Sequence, residues 1–331
     1  MRADEPKRAR RRPHILCAGI AVLDQIFRVA AFPDRDAKIR ALDFVSVVGG
    51  GAANAAIAIA RLGGAARFAG PLGDGNGNDP IGDRIVTGLQ AEGVACACVR
   101  MNGRVSPVSA ILVDSHGGRT ITHHRDELLH GACVADPDQL IADVDGVLAD
   151  DHYPEFVTPI CAAARRRGLP VVLDVEKRTP VAEPLFLAAT HRIFSRSGLT
   201  ATTGCDDLAA GLSRLDANDG AFLAVTDGAG PVHWRTSDTG GTTPTFAVEA
   251  VDTLAAGDVF HGAVALALIE TGDPVRALRF AAAAAALKCT RFGGGAATPR
   301  RSEVQQFLLE TPKKPINFRR KLFIFALVRL S

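Results

Sequence analysis

The stretch Val251-Asp252-Thr253-Leu254-Ala255-Ala256-Gly257-Asp258 runs straight into the apolar residues 259–270. Small side chains at 255–257 let successive backbone N–H groups converge where a helix begins, and the helix dipole makes that point positive. The product is a seat for an anion. Asp258 belongs to the same first turn, and a carboxylate there repels the anion it would sit beside. The pair makes chemical sense if the N–H groups hold a phosphoryl group while the carboxylate accepts a proton from the hydroxyl that attacks it. The alternative is an Asp that only caps a helix, worth about 1 kcal/mol. Asp252 serves equally well as a cap or turn residue.

Outward from this segment, short apolar runs at 15–22, 66–70, 146–149, 170–174, 192–194 and 221–226 alternate with helical stretches at 52–62, 80–92, 154–167, 206–214, 258–270 and 274–289. The runs lack strict apolar–polar alternation, as strands covered on both faces do. An α/β fold follows, with a central, mostly parallel sheet flanked by helices. Residues 25–48 and 105–124 break the pattern. They hold β-rich pieces such as 109–113 and 119–123, joined by the turn Asp114-Ser115-His116-Gly117-Gly118, and predict a small β-sheet lid beside a cleft.

Two further segments point into that cleft. Gly49-Gly50-Gly51-Ala52-Ala53-Asn54 opens a helix of small residues, so its backbone can approach a ligand and Asn54 can bond a polyol. A flexible turn feeding a tightly packed helix explains the same residues. Thr226-Asp227-Gly228-Ala229-Gly230 ends a buried strand, where open α/β sheets place ligands.

Composition narrows the function. The chain has 331 residues, 47% hydrophobic and 22% charged, enough for one large α/β domain or two ordinary ones, which excludes a disordered or collagenous chain. Aromatics at 5% and a net charge of +2 argue against a nucleic-acid partner. Seven cysteines without C-x-x-C spacing read as small hydrophobes of a reducing compartment, and the expected location is cytoplasmic. No run of about 18 apolar residues exists, so no membrane span is predicted. A basic stretch at 7–12 before the apolar 15–23 is signal-like, but Asp24-Gln25 stands where a cleavage site would be, and a buried first strand fits as well. Residues 1–12 read as a disordered basic arm and 313–331 as a basic, apolar extension, with a membrane contact the less favoured reading of the latter. G-x-x-x-x-G-K-[ST], a strand-linked G-x-G-x-x-G, H-E-x-x-H and G-x-S-x-G are all missing.

The three segments near 50, 226 and 252–258, in this order and spacing, resemble the ribokinase-like (PfkB) carbohydrate kinases. The resemblance covers residues 14–312, and 257–262 with 286–294 look most similar to 6-deoxy-6-sulfofructose kinases. It implies a ribokinase-like domain over 13–312 that transfers the γ-phosphoryl group of ATP to a hydroxyl of a ketose or related sugar. Asp258 would be the general base and the amides of Ala255, Ala256 and Gly257 the anion hole. Thr226, Asp227, Gly228 and Thr253 would contact the nucleotide. Asp24, Lys38, Gly50, Gly51, Asn54, His123 and His152 would face the sugar. Mg²⁺ would accompany ATP, with a monovalent cation such as K⁺ near Asp252, Arg291 and Gly295, and the lid sheet would serve as a homodimer contact.

Three departures qualify this. Ala255 replaces a usual Gly, at a cost of order 1 kcal/mol if its φ is positive. The family's Asn-x-x-Glu, tied to Mg²⁺, falls on Ser195-Arg196-Ser197-Gly198. Lys38 matches a sulfonate-binding Lys of the sulfosugar kinases, but His123 and His152 stand where they carry Asn and Arg, and His lacks the guanidinium fork. These two histidines and His124 are also readable as ordinary lid or surface residues, and His261 as packed. A nucleoside kinase and a non-catalytic sugar-binding regulator on the same fold are the alternatives.

Overall fold

The computed structural model describes residues 11–115, 117–215 and 219–311. The extension expected at 313–331 and most of the arm expected at 1–12 lie outside them. Arg11 is described, and its guanidinium donates to Asp145 at 2.5 Å.

Among the described residues nine strands form one sheet, in the order Gly240–Thr243, Val232–Arg235, Phe222–Thr226, His191–Ser195, Val171–Val175, Gly146–Asp150, His14–Ala18, Ala65–Ala69 and Val94–Cys96. The last seven pair in parallel and the first two are added antiparallel at one edge. Alternate side chains of one strand enter opposite layers, as the pleat requires. Ile15 and Cys17 join one apolar cluster, whereas Leu16 and Ala18 join the other. The α/β architecture with a central, mostly parallel sheet is therefore the one the apolar runs anticipate.

A second sheet stands apart, ordered Asp43–Gly49, Val22–Arg28, Val108–Val113 and Arg119–His124. Its Ile26, Ile111 and Val113 pack on Leu254, so it rests on the 252–258 segment. The single strand expected at 15–22 is corrected here. The chain leaves the large sheet after Ala18 and enters the small one at Val22, turning at Gly19 with φ 149°. Asp150 fills the space any Gly19 side chain would need, and its carboxylate accepts from Ile20 N at 2.9 Å.

Helix Gly51–Arg61 lies against helix Ala256–Thr271. A Cβ at Gly262 would stand 2.5 Å from the Ala55 carbonyl, so the two backbones approach as closely as only small residues allow. Their N-terminal tips consequently meet at the carboxyl ends of the parallel strands, under the small sheet. Helix Arg196–Thr203 was not expected from the sequence; Ser195 caps it by accepting from Gly198 N at 3.0 Å.

Candidate active site

The tip of helix Ala256–Thr271 begins at Ala255, whose φ of 62° and ψ of 9° put a non-glycine residue in the left-handed region. Leu254 N donates to Asp252 Oδ1 at 2.8 Å, and Gly293 N and Gly294 N donate to its Oδ2 at 3.1 Å. The Cys289 carbonyl accepts from Val251 N and Asp252 N at 2.8 and 3.1 Å. Beyond this anchored stretch Ala256 N makes a long 3.3 Å bond to Thr253 O. Among the described residues no acceptor takes Gly257 N, and a Cβ on Gly257 would meet nothing within 4 Å. The tip faces open space at the positive end of the helix dipole, with Asp258 in its first turn.

Asp258 stands at that tip, half-buried. Asn54 Nδ2 donates to its Oδ2 at 2.6 Å, while Asn54 Oδ1 is buried with no hydrogen-bond partner among the described residues. Asp174, from the end of strand Val171–Val175, and Glu176 just beyond it bring carboxylate oxygens within 4.8 Å of one another and of Asp258. Burial, then the charge of Glu176, pushes Asp258 up to about 6 against the lowering effect of Asn54. The charge of Asp174, then burial, pushes Glu176 up to about 7. Behind them His261 Nδ1 lies 3.0 Å from Asp174 Oδ2. Burial opposes a charge on His261, but Asp174 outweighs it and the imidazole is raised.

The other glycine-rich tip behaves differently from the expectation of free N–H groups. Ala52 N donates to Asp150 Oδ2 at 2.9 Å and Ala53 N to the Ile20 carbonyl at 3.3 Å. A buried protein carboxylate thus occupies the place an anion would take, and Gly50, with φ 93°, and Gly51 give the close approach. His152 N donates to Asp150 Oδ1 at 3.1 Å and its ring is 3.6 Å from the same oxygen. Despite burial, that carboxylate raises His152.

On the lid, register places Asp24 beside Ser109 and Ser109 beside His123, one row across three strands. Burial pushes Asp24 up to about 7, with Ser109 lowering it and Asp258 raising it. Lys38 sits exposed in the loop between Val22–Arg28 and Asp43–Gly49, outside this row. Thr253 Oγ accepts from Arg119 Nη1 of the lid at 2.7 Å. Thr226 ends strand Phe222–Thr226, with Asp227 and Gly228 following it; there Arg196 donates to both Asp227 oxygens at 2.5 and 2.6 Å. Arg291 turns away to Glu303 at 2.5 Å, and Gly295 packs against Asn54, where a Cβ would collide with Oδ1.

Sequence reasoning passed over Asp150, Asp174, Glu176, Arg196 and Lys288. For the first three a signal existed: each lies at or just beyond the carboxyl end of an apolar parallel strand, where open α/β sheets bind ligands.

The class defined by this crevice is a phosphotransferase, with an unblocked helix tip and a carboxylate at one point. Residues 12–301 match the pfkB family carbohydrate kinases. The chain belongs to that family, and it is a sugar phosphotransferase. It is 29% identical over 298 residues to the ribokinase of Bacillus subtilis (strain 168), covering 89% of this chain and 99% of the relative. A crystal structure from Agrobacterium tumefaciens, of a protein classed as a ribokinase, superposes with a TM-score of 0.86 at 38% identity over 90% of this chain and 98% of the other. A fructokinase of Xylella fastidiosa with bound ATP superposes with 0.72 at 29% identity, over 90% and 98%. ATP is therefore the expected phosphoryl donor. No helix among the described residues is long and apolar enough to cross a membrane.

Proposed function

We propose that the protein transfers the γ-phosphoryl group of ATP to a hydroxyl of a ketose or related sugar, ribose-like or fructose-like, with Asp258 as general base. The observation that carries this is the meeting, at one helix tip, of the Gly257 amide, which no acceptor takes among the described residues, with the Asp258 carboxylate, which burial and Glu176 push up to about 6. The sugar hydroxyl gives its proton to Asp258 as its oxygen bonds the γ-phosphorus, and the bond to ADP breaks. Charge developing on the transferred group meets the amides of Ala255, Ala256 and Gly257. Asp24, Ser109 and His123 face the sugar from the lid, and Asn54 orients the base. The turn Thr226–Gly228 takes the nucleotide, with Arg196 beside it.

Asp174 and Glu176 would hold Mg²⁺, taking the place of the missing Asn-x-x-Glu acid from the neighbouring strand end. Asp174 is 2% exposed and its Oδ1 has no partner among the described residues, as an unused metal ligand would be. Mg²⁺ held there supplies charge neutralisation of the phosphate oxygens. The exposed apolar side chains of the lid sheet, Phe44 and Ile121, are the surface a homodimer contact would cover.

An ADP-release assay over ribose, fructose, sulfofructose and nucleosides, with and without Mg²⁺, tests the reading. ADP release with a sugar, lost in Asp258→Asn, supports it. Release only with nucleosides would transfer the assignment to that class, and binding of sugar without release would make the chain a sugar-binding regulator.

A further inference from the structure

Lys288 lies in the last turn of helix Pro274–Cys289 and is 0% exposed. Its Nζ donates to the Asp252 carbonyl at 2.8 Å and stands 3.1 Å from Asp252 Oδ2. The negative end of the helix dipole favours a cation at this position. The same carboxylate accepts from Gly293 N and Gly294 N, so one buried positive charge sits where a carbonyl and a carboxylate converge. Converging oxygens of this kind are what a dehydrated alkali ion takes as ligands. Lysine brings an equivalent compact point charge on its own stem. Asp252 in turn holds the bend that ends at Ala255, whose left-handed backbone aims the following amides into the crevice.

We propose that the Lys288 ammonium is a built-in monovalent cation that holds residues 252–257 in their anion-binding shape, so that this protein needs no potassium. This replaces the sequence-based expectation of K⁺ near Asp252, Arg291 and Gly295, and it rests on reading 255–258 as the phosphoryl-transfer site. Lys288 is a positioning residue. Without it the buried Asp252 carboxylate keeps its backbone donors but loses its countercharge, and the bend is held less firmly.

In the wild-type protein, replacing tetramethylammonium chloride by KCl at constant ionic strength leaves the sugar-dependent rate unchanged within about twofold; a tenfold rise, the scale of a typical allosteric coupling, overturns the proposal. Lys288→Ala lowers kcat on the order of 10²-fold, as loss of one anion-hole donor does, with a smaller change in KM for the sugar. Propylammonium, ammonium or K⁺ restores the rate, and tetramethylammonium does not. Thermal unfolding gives a readout apart from activity. The variant gains stability in propylammonium or K⁺ over tetramethylammonium, whereas the wild type shows no difference. A folded variant with wild-type kcat, or one inert to every cation in both assays, sinks the idea. If Lys288→Ala does not fold, Lys288→Met keeps the stem packed and removes only the charge, and the wild-type salt comparison decides in any case. Failure of the kinase reading looks different: no ADP release in any salt, with the unfolding contrast between wild type and variant intact.

Discussion

Asn54 and Asp258, 204 positions apart in the chain, are joined by a 2.6 Å hydrogen bond in which the amide Nδ2 donates to the carboxylate. The bond exists because Gly262 and the alanines opposite it let two helices pack backbone to backbone, which brings both tips to one point. A neutral donor on a half-buried carboxylate stabilises its charged form, so this bond opposes the upward push that burial and Glu176 give Asp258.

Removing this donor should therefore raise the Asp258 pKa above about 6. In Asn54→Ala the acid limb of the kcat/KM profile moves to higher pH, and the rate at pH 7 falls roughly 10–100-fold. A pH series on both proteins checks it. An unmoved limb with a raised sugar KM would mean that Asn54 serves only the sugar.

Asp258 should also cost the fold stability when ionised. Its folded pKa, about 6, lies above the ordinary carboxylate value of 3.8, so folding favours the protonated form. That contribution is fully present below the unfolded pKa and is lost as pH rises through the folded one. Asp258→Asn should accordingly be more stable than wild type at pH 8, by up to about 3 kcal/mol, with the difference shrinking toward pH 4. Denaturant unfolding at the two pH values measures this. Turnover in the same variant should fall on the order of 10²–10⁴-fold.

Ala255 carries backbone strain at φ 62°. Ala255→Gly removes the Cβ that makes this conformation costly and should stabilise the protein by about 1 kcal/mol while keeping activity. Ala255→Val, with a branched side chain at the same φ, should lose stability and rate together. Thermal unfolding beside the ADP-release assay distinguishes the two outcomes.

Asp174 and Glu176 offer carboxylates to a metal within 4.8 Å of Asp258. Glu176→Gln should raise the Mg²⁺ concentration giving half-maximal rate about 10–100-fold, the loss seen when a metal site is deprived of support. A Mg²⁺ titration reads it, and Mn²⁺ binding followed by electron paramagnetic resonance gives the same comparison without turnover. Equal metal dependence in variant and wild type would move the metal elsewhere.

The apolar runs, the β-rich segments and the small-residue helices were enough to anticipate the parallel sheet, the small second sheet and the helix start at 252–258. Each of these depends on local periodicity or on backbone freedom, which side-chain identity states directly. The turn at Gly19 was not legible, because the need for glycine there comes from Asp150, far along the chain. The same carboxylate takes the Ala52 amide at the tip that follows Gly50–Gly51, so one of the donors that segment offers is used by the protein itself.

What the amino-acid order alone determined is the chemistry at one place, since Asp258 and the small residues before it share a single helical turn. Only the tertiary structure decided what surrounds that turn. Asp174, Glu176 and Asn54 arrive from other strands and helices, and the ammonium of Lys288 reaches Asp252 from 36 positions away. Local sequence encodes the groups a segment carries, whereas proximity between distant segments is set by packing, and packing supplies the charges that tune those groups.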